Sequence, residues 1–156
     1  MKISEIINES LVVTNLEGDS KEKIINALID LVGTSPKVLD IKKVRTAIFE
    51  REKIMSTGVG NGFAIPHGKT DAVSDIIAAF GITKHPIDYH SLDEKPVRLV
   101  FLLVGRDNLV GPHIKLLSRI SRLMNKEEFR NKLLGKQSSA DIIEAFKQEE
   151  ASYTET

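Results

Sequence analysis

Apolar and polar residues recur along this chain with two periods. Ile24, Ile25, Leu28, Ile29 and Val32 follow helical spacing, as do Ile41, Val44, Ile48 and Phe49. The same holds for Leu116, Leu117, Ile120, Leu123 and Met124, and for Ile142, Ile143 and Phe146. Each set predicts a helix with one apolar stripe turned to a core. Between these sets, Leu11–Leu16, Ile76–Thr83 and Val97–Val104 are short apolar runs bounded by turn residues. They predict strands, the last two central and buried on both faces. Phe63, Ala64 and Ile65 predict a shorter buried strand that Pro66 ends, because proline has no N–H for the ladder. Ile3, Ile6 and Ile7 give a short amphipathic turn at the start. Strands interspersed with helices of these lengths predict an α/β layer fold, its sheet flanked by helices on both faces.

Capping residues set the expected boundaries. Asp19 with Glu22 predicts a capping box for the first long helix, and Gly33 its end. Asp40 predicts the cap of the next, with Arg51 near the end of that helix. Gly111-Pro112-His113 opens a later helix, with Pro112 expected at the first helical position. Asn125 with Glu128 predicts a short helix closing at Gly135, and Ser138 with Asp141 caps a last one. Residues 1–147 are expected to form a single domain, and residues 148–156 a frayed polar tail.

Composition narrows the function classes. The 156 residues carry 22 basic and 22 acidic side chains, so no overall field favours nucleic acid or an anionic membrane. The chain has no cysteine, which excludes disulfides, thiolate metal sites and cysteine nucleophiles. The start, MKISEIINES, lacks a signal peptide's apolar core, and the longest apolar run suits a buried strand, so a cytoplasmic protein is expected. Lys115, Arg119, Arg122 and Lys126 form a basic stripe without aromatic interleaving, read as a solvated face. His85 and His90 have no partners at metal-ligand spacing and are read as exposed loop residues. Neither a metal nor a cofactor is expected.

Candidate chemistry concentrates in residues 58–70, GVGNGFAIPHGKT. Gly58, Gly60 and Gly62 can take positive φ or lie close to another group. The stretch misses the Walker loop, since Gly62 and Gly68-Lys69-Thr70 enclose five residues in place of four, and it misses the dinucleotide fingerprint, which needs a glycine where Phe63 stands. His67, at the end of the short strand, fits two readings. It is either a partly buried structural histidine or a nucleophile with one ring nitrogen fixed by a hydrogen bond and the other free.

The phrase EREKIMSTGVGNGFAIPHGK, Glu50 to Lys69, closely resembles the phosphorylation-site signature of the type-2 enzyme IIA family of the bacterial phosphotransferase system. That family includes fructose and mannitol IIA domains and nitrogen-regulatory IIA proteins. VRLVFLLV and PHIKLLSRISRLM extend the resemblance over nearly all of residues 1–147. It implies a mixed sheet flanked by helices, the mannitol-specific IIA-like fold. It also implies that His67 accepts a phosphoryl group from HPr or an HPr-like carrier, with Arg51 and His113 at the positions of the family's active-site arginine and second histidine. A guanidinium suits three charged equatorial oxygens, and a first-turn histidine can offer one N–H. Alternatively, Arg51 is a helix-end residue paired with Glu50 or Glu52, and His113 a local cap. Both were expected to matter little for folding. No fused IIB, IIC or HPr domain is expected, so the resemblance implies either a carrier to a sugar-specific IIB of the fructose or mannitol class, or a regulator whose phosphorylation state controls target proteins.

Overall fold

The computed structural model describes residues 2–154. In chain order its elements are α1 (Ile3–Ile6), β1 (Val12–Leu16), α2 (Lys21–Val32), α3 (Ile41–Ile54), β2 (Phe63–Ala64), β3 (His67–Lys69), β4 (Ile77–Ile87), β5 (Val97–Gly105), α4 (Val110–Met124), α5 (Glu127–Leu134) and α6 (Ser139–Thr154). A 3₁₀ turn at Glu9–Leu11 precedes β1. The sheet order is β1, β4, β5, with β2 and β3 in line along the far side of β5. β1 runs parallel to β4, β5 antiparallel to β4, and β2 and β3 parallel to β5, so the sheet is mixed.

Strand alternation divides the core into two layers. Leu99, Phe101 and Leu103 of β5 face one layer with Ala78, Phe80 and Ile82 of β4. Val100, Leu102 and Val104 face the other with Ile77 and Ala79. The first layer is covered by α1, α4, α5 and α6, the second by α2 and α3. Coverage on both sides is why β4 and β5 read as near-continuous apolar runs. Phe146 anchors α6, meeting Phe80, Phe101 and Phe129 edge-on at centroid distances of 5.3, 5.7 and 5.2 Å. Such pairs add about 0.5–1.5 kcal/mol each beyond area burial.

The Asp40 and Ser138 caps form as expected, accepting from Lys42 and from Asp141. Other boundaries are corrected. Ser20, not Asp19, caps α2, because Asp19 instead pairs with the Lys23 ammonium at 2.9 Å. Leu109 precedes α4, so Pro112 is its third residue, where a missing N–H still has no intrahelical acceptor to forgo. Asn125 ends α4, and Lys126 stands before α5. β4 continues to Ile87 into the polar excursion, because Ile87 and Tyr89 turn inward. His85 and His90 are exposed as expected.

The frayed-tail reading is also corrected: α6 runs to Thr154, while residues 155 and 156 lie outside the described residues. Glu150, only 2% exposed, accepts the amides of Ile3 at 2.6 Å and Ser4 at 2.9 Å. Its carboxylate thus caps α1 from the other end of the chain. Lys126 lies 4.3 Å above the Tyr153 ring and 3.6 Å from Glu149, so part of the basic stripe is paired locally.

Glu150→Ala leaves two amides without that acceptor and is expected to lower stability by about 1–2 kcal/mol in denaturant unfolding. Glu149→Ala, at a more exposed position, should change it by less than about 0.5 kcal/mol.

Candidate functional site

His67 does not close a strand; it opens one. Ile65 and Pro66 separate β2 from β3, the Pro66 carbonyl still accepts the Leu103 amide at 3.0 Å, and His67, Gly68 and Lys69 resume pairing with β5. Proline therefore removes one donor without ending the ladder. The imidazole is half-buried, and its Nδ1 lies 2.8 Å from the Ile65 carbonyl. A carbonyl only accepts, so the proton sits on Nδ1 and the lone pair on Nε2. Upstream, Gly62 at φ 80° and Asn61 at φ 60° turn the chain from the glycine stretch into β2. Gly58 has no positive φ; a Cβ there would lie 2.7 Å from the Tyr89 ring.

Arg51 lies in the last turn of α3, which packs directly on β3. A Cβ on Gly68 would meet the α3 backbone at 3.0 Å, at the Ala47 carbonyl carbon. The absent side chain lets the helix carrying Arg51 approach the strand carrying His67. The guanidinium donates to the Met55 carbonyl at 2.9 Å and its charge is felt by His67. Neither acidic neighbour pairs with it. Glu50 meets Lys53 at 3.4 Å, and Glu52 turns inward to Lys21 at 2.7 Å.

His113 is buried, at 3% exposure, and its ring centroid is 5.7 Å from that of His67. A Cβ on Gly105 would lie 2.6 Å from His113 Nδ1, so glycine at the end of β5 makes room for this ring. Among the described residues neither ring nitrogen of His113 has a hydrogen-bond partner. A buried donor left this way costs about 1–3 kcal/mol, a cost a ligand oxygen would remove. No side chain of the described residues caps α4 at its N-cap residue, Leu109. The expected local-cap alternative does not apply, and deep burial overturns the expectation that His113 contributes little to folding.

Both imidazoles are held neutral. Burial lowers the His67 pKa most, the Arg51 and Lys69 charges lower it further, and the Ile65 carbonyl and Glu52 oppose them. Burial, then the His67 and Lys69 charges, pushes His113 down to about 4.

The family model described as the phosphoenolpyruvate-dependent sugar phosphotransferase system, EIIA 2, matches residues 5–149. The chain belongs to this family. It is 37% identical to the fructose-specific EIIABC component of Bacillus subtilis over 95% of its own length, and spans 23% of that protein. The nitrogen regulatory protein IIA-Ntr of Neisseria meningitidis is 32% identical, with a TM-score of 0.86 over 92% of this chain and 98% of that one. IIA mannitol of Escherichia coli shares the fold at TM-score 0.77 and 20% identity, over 90% and 98% of the two chains.

In this EIIA chain the residues singled out in the sequence, His67, Arg51 and His113, converge on one region. Among the described residues no cluster suited to a metal occurs, and no helix is long and apolar enough to cross a membrane. Sequence reading assigned no role to Thr57, Tyr89 or Gly105, and considered Glu52 only as a partner of Arg51. Glu52 and Thr57 lie inside the quoted phrase, but only tertiary contacts reveal that they face inward.

The lowered histidine pKa values fix a sign for stability against pH. Below the ordinary value of about 6.5 the unfolded chain binds protons that the folded chain refuses, so stability is full above that pH and falls as pH drops toward 4. His113→Leu should flatten this decline between pH 6.5 and 4 in thermal midpoints, with the His67 contribution remaining.

Proposed function

We propose that this EIIA chain is a phosphohistidine carrier that accepts a phosphoryl group on Nε2 of His67 from HPr or an HPr-like protein and passes it on. The carrying observation is the 2.8 Å contact between His67 Nδ1 and the Ile65 carbonyl, which leaves Nε2 as the nucleophile beside a buried, unpartnered imidazole. In the transfer, the Nε2 lone pair forms the new P–N bond while the donor's P–N bond breaks and its electron pair returns to the donor nitrogen. The ring keeps its Nδ1 proton and becomes cationic. The Ile65 carbonyl and the nearby Glu52 charge favour that cation. The transition state is loose, so the remaining requirements are alignment and donors to three equatorial oxygens. Arg51 supplies a planar fork after leaving Met55, and neutral His113 one N–H.

The exposed apolar side chains Ile54 and Met55 follow Arg51 in sequence, and Val110 and Ile114 flank His113. They offer a carrier protein an apolar contact around the histidine. The chain's likeness to fructose-specific relatives supports a IIB of the fructose or mannitol class as acceptor. Its likeness to a nitrogen regulatory protein supports a second reading, in which phosphorylation state controls binding to regulatory targets. Cytoplasmic placement accords with either.

Incubation with phosphoenolpyruvate, enzyme I and HPr should label His67 alone, mapped by mass spectrometry at neutral or alkaline pH. Label on His85, His90 or His113 would overturn the assignment. Rapid discharge to a cognate IIB supports the transport reading, whereas a partner retained in only one phosphorylation state supports the regulatory one.

Arg51→Ala and His113→Leu should each slow transfer roughly a hundred- to a thousandfold, the usual loss for one preorganised donor. Arg51→Lys should recover part of that loss, because charge returns without the fork. Wild-type transfer rates in both of the first variants would remove Arg51 and His113 from the mechanism.

A further inference from the structure

The glycine stretch is anchored by a carboxylate that supplies only a nearby charge to the proposed transfer. Glu52 is 8% exposed and its ammonium partner Lys21 lies 2.7 Å away. The carboxylate also accepts the Thr57 amide at 2.8 Å and the Thr57 hydroxyl at 2.6 Å. The fully buried Tyr89 hydroxyl lies 2.9 Å from Thr57 Oγ1 and 3.3 Å from Glu52 Oε1. Burial beside Glu52 pushes the Tyr89 pKa well up, so that hydroxyl remains a donor. Thr57 is held on two atoms at once.

From Thr57 the constraint runs to the reacting ring through two further hydrogen bonds. The Thr57 carbonyl accepts the Ile65 amide at 3.1 Å, a bond that spans the three glycines from the residue before Gly58 to the residue after β2. The Ile65 carbonyl in turn holds His67 Nδ1. These bonds belong to successive peptide groups, so the link is mechanical: it fixes where the Ile65 carbonyl points. The loop it crosses is glycine-rich and would otherwise be free to rotate.

We infer that Glu52 is a positioning residue, which acts through Thr57 and Ile65 to keep the His67 proton on Nδ1 and Nε2 free for phosphoryl transfer. This rests on the proposed function for its consequence, but the geometry it asserts is measurable without any phosphoryl donor. The arrangement parallels the carboxylates and carbonyls that orient histidines from behind in metal sites. Here the carboxylate stands two bonded steps back and meets the ring through backbone.

The test reads the His67 imidazole by ¹⁵N NMR in the unphosphorylated chain. Wild type should carry the proton on Nδ1, and Thr57→Ser, which keeps the hydroxyl, should match it. Thr57→Val and the paired neutral exchange Lys21→Met/Glu52→Gln should give mixed tautomers. Their His67 phosphorylation by HPr should slow by roughly ten- to a hundredfold, the range for loss of an orienting partner behind a histidine. A merely structural role would lower the thermal midpoint of Thr57→Val while leaving its tautomer unchanged, and that result overturns the inference. So does a wild-type tautomer in the folded double variant. If the double variant does not fold, the near-isosteric Thr57→Val decides between the two outcomes. A wild-type chain that keeps the proton on Nδ1 yet takes no label from HPr would defeat the proposed function and leave the positioning inference standing.

Discussion

The site depends on one contact made without a side chain. At Gly68 the backbone of β3 lies against the backbone of α3, with no space for a Cβ. A helix normally stands off a sheet by the thickness of the side chains between them. Removing that layer at one residue brings the last turn of α3, with Arg51 and Glu52 on it, down to the level of His67. The two side chains then diverge, Arg51 outward to the Met55 carbonyl and Glu52 inward to Lys21. Adjacent residues on one helix turn thus point to the proposed reacting face and to the interior behind it. Gly105 makes the same kind of room at the end of β5 for His113.

The charge balance around His67 follows from this packing. Burial keeps both imidazoles neutral, as the proposed transfer requires of an acceptor that presents a lone pair and a neighbour that donates without repelling a cation. In the proposed transfer Arg51 and Lys69 would attract the phosphoryl group, and their charges also make the imidazole a weaker base. Glu52 works against the second effect from below the loop, where its own charge is already matched by Lys21 and by hydrogen bonds. In the proposed transfer, attraction for the anion and basicity of the ring are therefore set by different groups.

Much of the architecture was legible in the sequence because both coverage and alternation leave marks on single residues. The helical stripes of α2 and α4, the doubly buried runs of β4 and β5, and the Asp40 and Ser138 caps all stood in plain spacing. Boundaries slipped where two residues compete for one role, as Asp19 and Ser20 do ahead of α2. The polar end of α6 misled for a different reason: Glu150 and Tyr153 are ordered by partners far away in the chain, and composition carries no trace of a partner. At the site, the phrase from Glu50 to Lys69 pointed to His67 and Arg51 but said nothing of their depth. Nothing local distinguishes a buried His113 from an exposed one, since its burial follows from a glycine at the end of another strand.

The Glu150 cap on α1 brings the two ends of the described fold together. It joins residues 3 and 150, so the two ends of the described fold leave from one corner. A neighbour tethered to either end would start from the same point on the surface. A leash fixed at a single corner lets the unit swivel as a whole, and fusion at that corner requires no rearrangement of the sheet. Whether such a unit is covalently tethered or diffuses freely then changes the local concentration its reactive face meets, and leaves the face itself the same.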